Sequence, residues 1–145
     1  MRPRNLLLLA ECLLALSAAT LARRLLPFRW LVRTLGRSQR ELPHEHTPRE
    51  ANLSLRVSRG LAAATARFPW RSTCFEQAIA GKWMLRRRGV PATLYLGVRR
   101  SPSGLDAHAW LRSGPAIITG GQEPSAPEPG ANTTASLFPP VAWFS

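Results

Sequence analysis

The segment that begins RSTCFEQAIA constrains the fold of this chain most, because it predicts one helix followed directly by strands. Thr73-x-x-Glu76 matches a capping box, which would start a helix at Cys74, and Gly89 after three arginines suits its end. TLYLGV follows with strand-forming residues, and LDAHAWLR and AIIT are separated by a turn, as in a hairpin. This order predicts an α+β fold in which a helix packs on a small antiparallel sheet.

The N-terminal segment, MRPRNLLLLAECLLALSAATLARRLLPFRW, combines a basic start with a long apolar run, as signal peptides and membrane segments do. Glu11 interrupts the run, and the apolar pattern continues past SAAT with arginines between its members. We therefore favour amphipathic helices, broken near Pro27 and ended by Gly36, which pack on the domain or face a partner. A signal peptide and contact with a membrane surface are the less favoured alternatives.

Residues 37–50 are polar and contain two prolines, which predicts a linker. His44 and His46 lie in it, and without further ligands nearby a solvated loop is favoured over a metal site. A second helix with apolar spacings of three and four follows. The predicted division is an N-terminal part over residues 1–50, with helices and linker, and a core over 51–145 with a Pro-rich tail. The final apolar residues, LFPPVAWF, are expected to dock on that core.

The chain has 20 Lys and Arg against 8 Asp and Glu, a formal net charge of +12. Such a charge indicates an acidic partner. The cations are spread over linker, helix ends and turns without aromatic stacking platforms, so nucleic acid is not expected. The two cysteines, Cys12 and Cys74, lack the spacing of a disulfide framework, which favours a reducing cytoplasm. Three histidines and no CxxC pair predict neither a metal nor a cofactor.

Cys74 is predicted as the first residue of a helix, a position where cysteines become reactive. Unsatisfied backbone amides and the positive end of the helix dipole favour thiolate over thiol there. His108 lies on a later strand between two alanines, which leave space beside its imidazole. A cysteine at a helix start, a strand and then a strand histidine is the chain order of papain-like and transglutaminase-like thiol sites. A small buried cysteine and a core histidine without chemistry remain the alternative.

The stretch PWRSTCFEQAIAGKWMLRRRGVPATLYLGVRR, followed by AHAWL, resembles the stand-alone transglutaminase-like proteases of lasso-peptide biosynthesis, the protease half of the split B protein. The leucine-rich start and the chain length also agree, so the resemblance covers nearly the whole chain. The shared motifs are a Trp-Arg-x-x-Cys helix start, a run ending in Leu-Arg-Arg-Arg-Gly, a strand ending in Gly-Val and an Ala-His-Ala-Trp strand. Here they are Trp70, Arg71 and Cys74; Leu85 to Gly89; Gly97 and Val98; and Ala107 to Trp110.

The resemblance implies a cytoplasmic cysteine peptidase that removes the leader from a ribosomally synthesised precursor. Cys74 would attack the carbonyl of the last leader residue, and His108 would take the thiol proton and later protonate the leaving amine. The backbone amide of Cys74 is the expected oxyanion donor, with Thr73 and Glu76 as the helix cap. A non-catalytic transglutaminase-like module that binds a peptide or protein is the alternative function.

The sequence departs from the family at the third member of the expected triad. Family enzymes carry an Asp on the strand after the histidine, and no Asp follows residue 106 in this chain. Glu123 and Asp106 are equally favoured to orient the imidazole instead, and Thr119 comes next. A backbone carbonyl is a further alternative.

The resemblance also implies partners. The family's leader-binding module, a small winged-helix-like domain, has no counterpart in the sequence, so a separate leader-recognition protein is expected to deliver the precursor peptide. The lasso cyclase is a further candidate partner, whereas a membrane is not expected. The basic side chains of the N-terminal helices are expected to dock the recognition protein or the leader; they are Arg23, Arg24, Arg29 and Arg33.

Overall fold

The computed structural model describes residues 2–36, 45–120 and 140–144. Helices pack on one antiparallel sheet in this part of the chain, which confirms the predicted α+β class. The helices are α1 (Pro3–Leu25), α2 (Phe28–Arg33), α3 (Pro48–Arg67) and α4 (Cys74–Arg87). The strands are β1 (Thr93–Ser101), β2 (Gly104–Ser113), β3 (Ala116–Thr119) and β4 (Pro140–Phe144).

The four strands lie in the order β3-β2-β1-β4, and each neighbouring pair is antiparallel. β1 and β2 form a hairpin whose register runs from Thr93 opposite Arg112 to Ser101 opposite Gly104. The C-terminal segment, which the sequence expects to dock on the core, adds to β1 as an edge strand. The order places β2, which carries His108, in the interior of the sheet.

The helix boundaries follow local signals. Pro27 separates α1 from α2, and Gly36, at a φ of 100°, follows the last turn. The predicted linker is too long at its end, because α3 begins at Pro48. The reason is a second capping box, in which Thr47 and Glu50 exchange side-chain and backbone hydrogen bonds, with proline at the first helical position.

His46 is held against the sheet, so the prediction of a solvated loop is wrong at this residue. Its Nε2 lies 2.8 Å from the hydroxyl of Ser113 at the end of β2. The ring also fills the space beside Gly114, which has a φ of 54°. His44 lies outside the described residues. Within the ranges given above, no three His, Cys, Asp or Glu side chains are grouped closely enough to hold a metal ion.

One hydrophobic core takes side chains from both sides of residue 50. Cys12 on α1 is buried beside Gly60 on α3, where an added Cβ would lie 2.8 Å from the sulfur. The absence of a side chain at Gly60 thus lets the two helices lie close together. The division at residue 50 therefore separates sequence segments, whereas the core unites them. Its members on α1, α3, α4 and the sheet include Cys12, Leu16, Ala19, Val57, Leu61, Ile79, Leu85, Leu94, Leu111 and Phe144.

α1 is long and apolar enough, by length and composition, to cross a membrane; its most apolar window has a mean hydropathy of 1.9. One side of the helix nevertheless packs on α3 and α4. The Glu11 carboxylate accepts hydrogen bonds from Arg88 at 2.5 and 2.8 Å, and this pairing outweighs burial and lowers the pKa of Glu11. Glu11, which interrupts the apolar run, thus links α1 to the C-terminal end of α4.

Candidate active site

A capping box places Cys74 at the first position of α4. The backbone N–H of Glu76 donates to the Thr73 hydroxyl at 3.2 Å, and the N–H of Thr73 donates to the Glu76 carboxylate at 3.1 Å. The Thr73 hydroxyl thus provides a hydrogen-bond acceptor for one backbone N–H of the first turn, that of Glu76. The amides at Cys74 and Phe75 have no carbonyl partner within the helix, as at every helix start. They therefore point out of the N-terminal end of α4, and the amide of Phe75 donates to the Cys74 sulfur.

Glu76 also joins α4 to α1, a contact that sequence reasoning missed. Its carboxylate is buried and accepts from Arg23 Nε at 2.5 Å and from the Thr20 hydroxyl at 3.1 Å. Nothing near Glu76 in the sequence indicates these partners, which lie on the first helix. The N-terminal helix is thereby fixed to the helix that begins with Cys74.

His108 lies on β2 opposite Gly97 of β1, and its side chain is almost completely buried. The imidazole stacks on Trp110, with ring centroids 6.2 Å apart and planes at 19°. Trp110 in turn stacks on Tyr95, at 5.2 Å and 9°. Glycine at position 97 adds no side chain beside the imidazole. The aromatic row limits the rotation of the ring and defines one of its faces.

The backbone carbonyl of Gly120 lies behind His108, 2.6 Å from Nε2. Because a carbonyl oxygen can only accept, the neutral imidazole must carry its proton on Nε2, and Nδ1 is left as the acceptor. Gly120 has a φ of 77°, and an added Cβ would collide with the Ala109 carbonyl and approach Trp110 Cβ at 2.9 Å. Only glycine can therefore hold this carbonyl so close to β2.

The Cys74 thiol meets His108 and two backbone amides. Burial raises the pKa of this thiol, but a hydrogen bond with His108, the positive charge that His108 carries as an imidazolium, and hydrogen bonds from the backbone of Ala109 and Phe75 together lower the pKa by more. The net result is a pKa below the ordinary value, which favours the thiolate. Cys12 is the opposite case, since burial raises the pKa of its thiol to about 11.

The structure separates the predicted candidates for the third member. Thr119 turns its methyl group toward Gly81 on α4, and its buried hydroxyl makes no hydrogen bond to any described residue, so it does not orient the imidazole. Asp106 is half-buried on the same strand as His108, opposite Arg99 in the register. Glu123 lies outside the described residues. The group next to Nε2 is the backbone carbonyl of Gly120, and a backbone carbonyl is the further alternative that the sequence leaves open.

A thiol at a helix start, held beside an oriented imidazole on an antiparallel sheet, defines the class of papain-like and transglutaminase-like domains. The chain belongs to the transglutaminase-like superfamily, whose family model matches residues 15–127. The match begins within α1 and includes Cys74, His108 and Gly120. Domains of this superfamily commonly act as cysteine peptidases or transferases. No curated protein and no solved structure matches the chain.

Replacing Gly120 with alanine is expected to weaken the site and the fold together. The added Cβ must move the carbonyl away from His108, which frees the ring and lowers the reactivity of Cys74 by about tenfold. The unfolding free energy should fall by about 1–3 kcal/mol. Urea unfolding and the rate of iodoacetamide labelling measure the two effects. Gly89→Ala is the matched control, because Gly89 also has positive φ, 67°, but open space around its Cα. Equal labelling rates in the two variants would contradict the assigned role of the Gly120 carbonyl.

Proposed function

We propose that this protein is a cytoplasmic cysteine peptidase that removes the leader from a lasso-peptide precursor, working with a separate leader-recognition protein. The observation that carries the catalytic part is the contact between the Cys74 thiol and an imidazole whose tautomer is set by Gly120. Membership of the transglutaminase-like superfamily supports the reaction class. The motif resemblance, from Trp70 to Trp110, supports the choice of substrate.

The first half of the proposed reaction breaks the peptide bond. Nδ1 of His108 takes the thiol proton, and the Cys74 sulfur attacks the carbonyl carbon of the last leader residue. The amide of Cys74, at the positive end of α4, donates to the oxyanion that forms. The imidazolium then gives its proton to the leaving amine, which departs with the core peptide. The leader remains bound to the sulfur as a thioester.

The second half releases the leader. Nδ1 of His108 accepts a proton from water as the water oxygen attacks the thioester carbonyl. Collapse of the tetrahedral intermediate breaks the C–S bond, and the proton returns to the sulfur. Throughout, the Nε2–H of His108 stays hydrogen-bonded to the Gly120 carbonyl, so the ring presents the same nitrogen in every step. This carbonyl orients the ring but carries no negative charge to stabilise the imidazolium.

Selective alkylation distinguishes this peptidase from a non-catalytic module that only binds a peptide. Iodoacetamide near pH 7 should modify Cys74 at least ~100-fold faster than Cys12, because thiolate is the reactive form and the pKa of the Cys74 thiol is lowered. Cys12 is fully buried and has a pKa of about 11, so it serves as an internal control. Peptide mass spectrometry reads both sites. A Cys74 rate no higher than that of a free thiol peptide would favour the binding module.

Incubation with the precursor tests the function directly. The purified chain should cut the precursor of a neighbouring gene once, between leader and core, when the leader-recognition protein is added. Product masses should sum to the precursor plus one water, as hydrolysis requires. A product whose mass equals the precursor plus an amine minus one ammonia would instead reveal transfer to that amine. An intact precursor in the complete mixture would contradict the proposal.

A further inference from the structure

The side of α1 that faces away from the core is an exposed apolar stripe. Its members recur at spacings of three and four, so they share one narrow face of the helix. The opposite face carries the buried residues Cys12, Leu16 and Ala19. All members of the stripe are exposed, four leucines at 58% or more, and none has a polar side chain. We call this face the outer stripe; it consists of Leu7, Ala10, Leu14, Ala18, Leu21 and Leu25.

Arginines lie at both ends of the outer stripe, and aromatic rings lie near its C-terminal end. Arg2 and Arg4 precede it, and a denser basic group on α1 and α2 follows it. The guanidinium of Arg33 lies over the exposed ring of Trp30, 4.7 Å from its centroid. The one acid on the two helices, Glu11, is already paired with Arg88. The basic group at the C-terminal end comprises Arg24, Arg29 and Arg33, all exposed.

The contacts that α1 makes with the core limit what can cover the outer stripe. A spanning orientation would require lipid all round the helix, but Cys12 and Leu16 are packed in the core and Arg23 is bonded to Glu76. If a second copy of the chain covered the outer stripe, the arginine-rich ends of the two stripes would meet whether the helices ran parallel or antiparallel. Their like charges would repel. The occupant must therefore be apolar along its length and negatively charged at its surface.

We propose that the outer stripe seats α1 flat in the surface of an anionic membrane, with Arg24, Arg29 and Arg33 on the lipid phosphates. Interfaces between proteins contain about one hydrogen bond per 100–200 Å² of interface area. The outer stripe offers no side-chain donor or acceptor, and lipid tails require none. Trp30 beside Arg33 suits the boundary between headgroups and tails.

The proposal has a geometric consequence for the site. Phe28, the first residue of α2, packs against Phe75, the neighbour of Cys74, with ring centroids 6.2 Å apart. Phe28 is exposed and lies between Arg24 and Arg29 in the chain, so the basic end of the membrane-facing surface is close to the residue that follows Cys74. A substrate would approach Cys74 next to the lipid headgroups, and the protein would be a peripheral protein of the cytoplasmic face.

Vesicle flotation of the full chain tests the proposal. Vesicles of phosphatidylglycerol and phosphatidylcholine in equal parts should bind the protein, and phosphatidylcholine alone should bind it at least ~10-fold more weakly. The double variant Leu14→Ser, Leu21→Ser should lose about 100-fold in partitioning. Leu105→Ser is the matched control, because Leu105 is equally exposed, at 72%, but lies on β2. Circular dichroism checks that each variant is folded.

Three results would overturn the proposal. The first is equal binding by the wild type and the Leu14, Leu21 double variant. The second is a dimer in solution that the double variant converts to a monomer, which would make the outer stripe a contact between copies. The third is binding of the purified leader-recognition protein, rather than of vesicles, that is lost in the same variant. That last result would support the role predicted from the sequence, in which the N-terminal arginines dock the recognition protein.

Discussion

Replacing Cys74 with alanine is expected to abolish leader cleavage, lowering its rate by at least about a thousandfold. The sulfur is the nucleophile of the proposed reaction, and no other group at the start of α4 can form the thioester. The fold should survive, because the Thr73–Glu76 capping box does not use the Cys74 side chain and the substitution removes one half-buried atom. Single-turnover cleavage of the precursor with the recognition protein present measures the rate, and thermal unfolding checks the fold.

His108→Ala should produce a loss of similar size, because a thiol without its base and a base without its thiol are both inactive. The double variant should lose little more than either single variant. Cys12→Ala is the control for cysteine replacement in general. It removes a core sulfur far from the site, so stability should fall slightly while cleavage continues. Substantial cleavage by either Cys74→Ala or His108→Ala would refute the peptidase mechanism.

Arg23→Ala is expected to lower the free energy of unfolding by about 2–3 kcal/mol, the largest effect we predict for a residue outside the thiol site. Glu76 is almost completely buried, and Arg23 supplies the positive charge beside its carboxylate. Removing the guanidinium leaves a buried carboxylate with only the Thr20 hydroxyl and the Thr73 amide as donors. The exposed side of Arg23 keeps the loss below that of a fully buried pair. Urea unfolding measures the change.

Two further variants make this prediction specific. Arg24→Ala removes the neighbouring exposed arginine and should change stability by less than ~0.5 kcal/mol. In a Glu76→Gln background, Arg23→Ala should cost much less, because a neutral amide does not require a cation. An equal cost in both backgrounds would show that Arg23 stabilises the fold by packing alone. The Cys74 labelling rate in these variants also reports whether α1 supports the start of α4.

Both residues of the candidate thiol site lie on elements that have local signals in the sequence. Thr73 and Glu76 are three residues apart, so their capping box is a local interaction and its spacing is visible in the sequence. The β2 strand that contains His108 also has a local signal, in its composition and in the turns around it. The predicted linker ends too late, because Thr47-x-x-Glu50 is an equally local capping signal and starts α3 at Pro48.

Other parts of the site had no such signal. The carbonyl behind His108 depends on how β3 pairs with β2, including a register shift at Leu111 and Arg112. Strand composition does not specify register to one residue, so it does not identify which residue of the β3 segment lies behind the imidazole. The contact of His46 has no local signal either, because its partner, Ser113, lies far along the chain.

Local signals in the sequence specify where α4 starts, that Gly89 follows its end, and that strands come next, with Cys74 on the helix and His108 on a strand. Each of these depends on interactions within a few residues or on the chain order. Contacts between distant segments were needed to show which imidazole nitrogen of His108 is bonded to the Gly120 carbonyl and which arginine pairs with Glu76. Those features depend on contacts between segments distant in the chain, and their geometry exists only after the helices and the sheet have packed together.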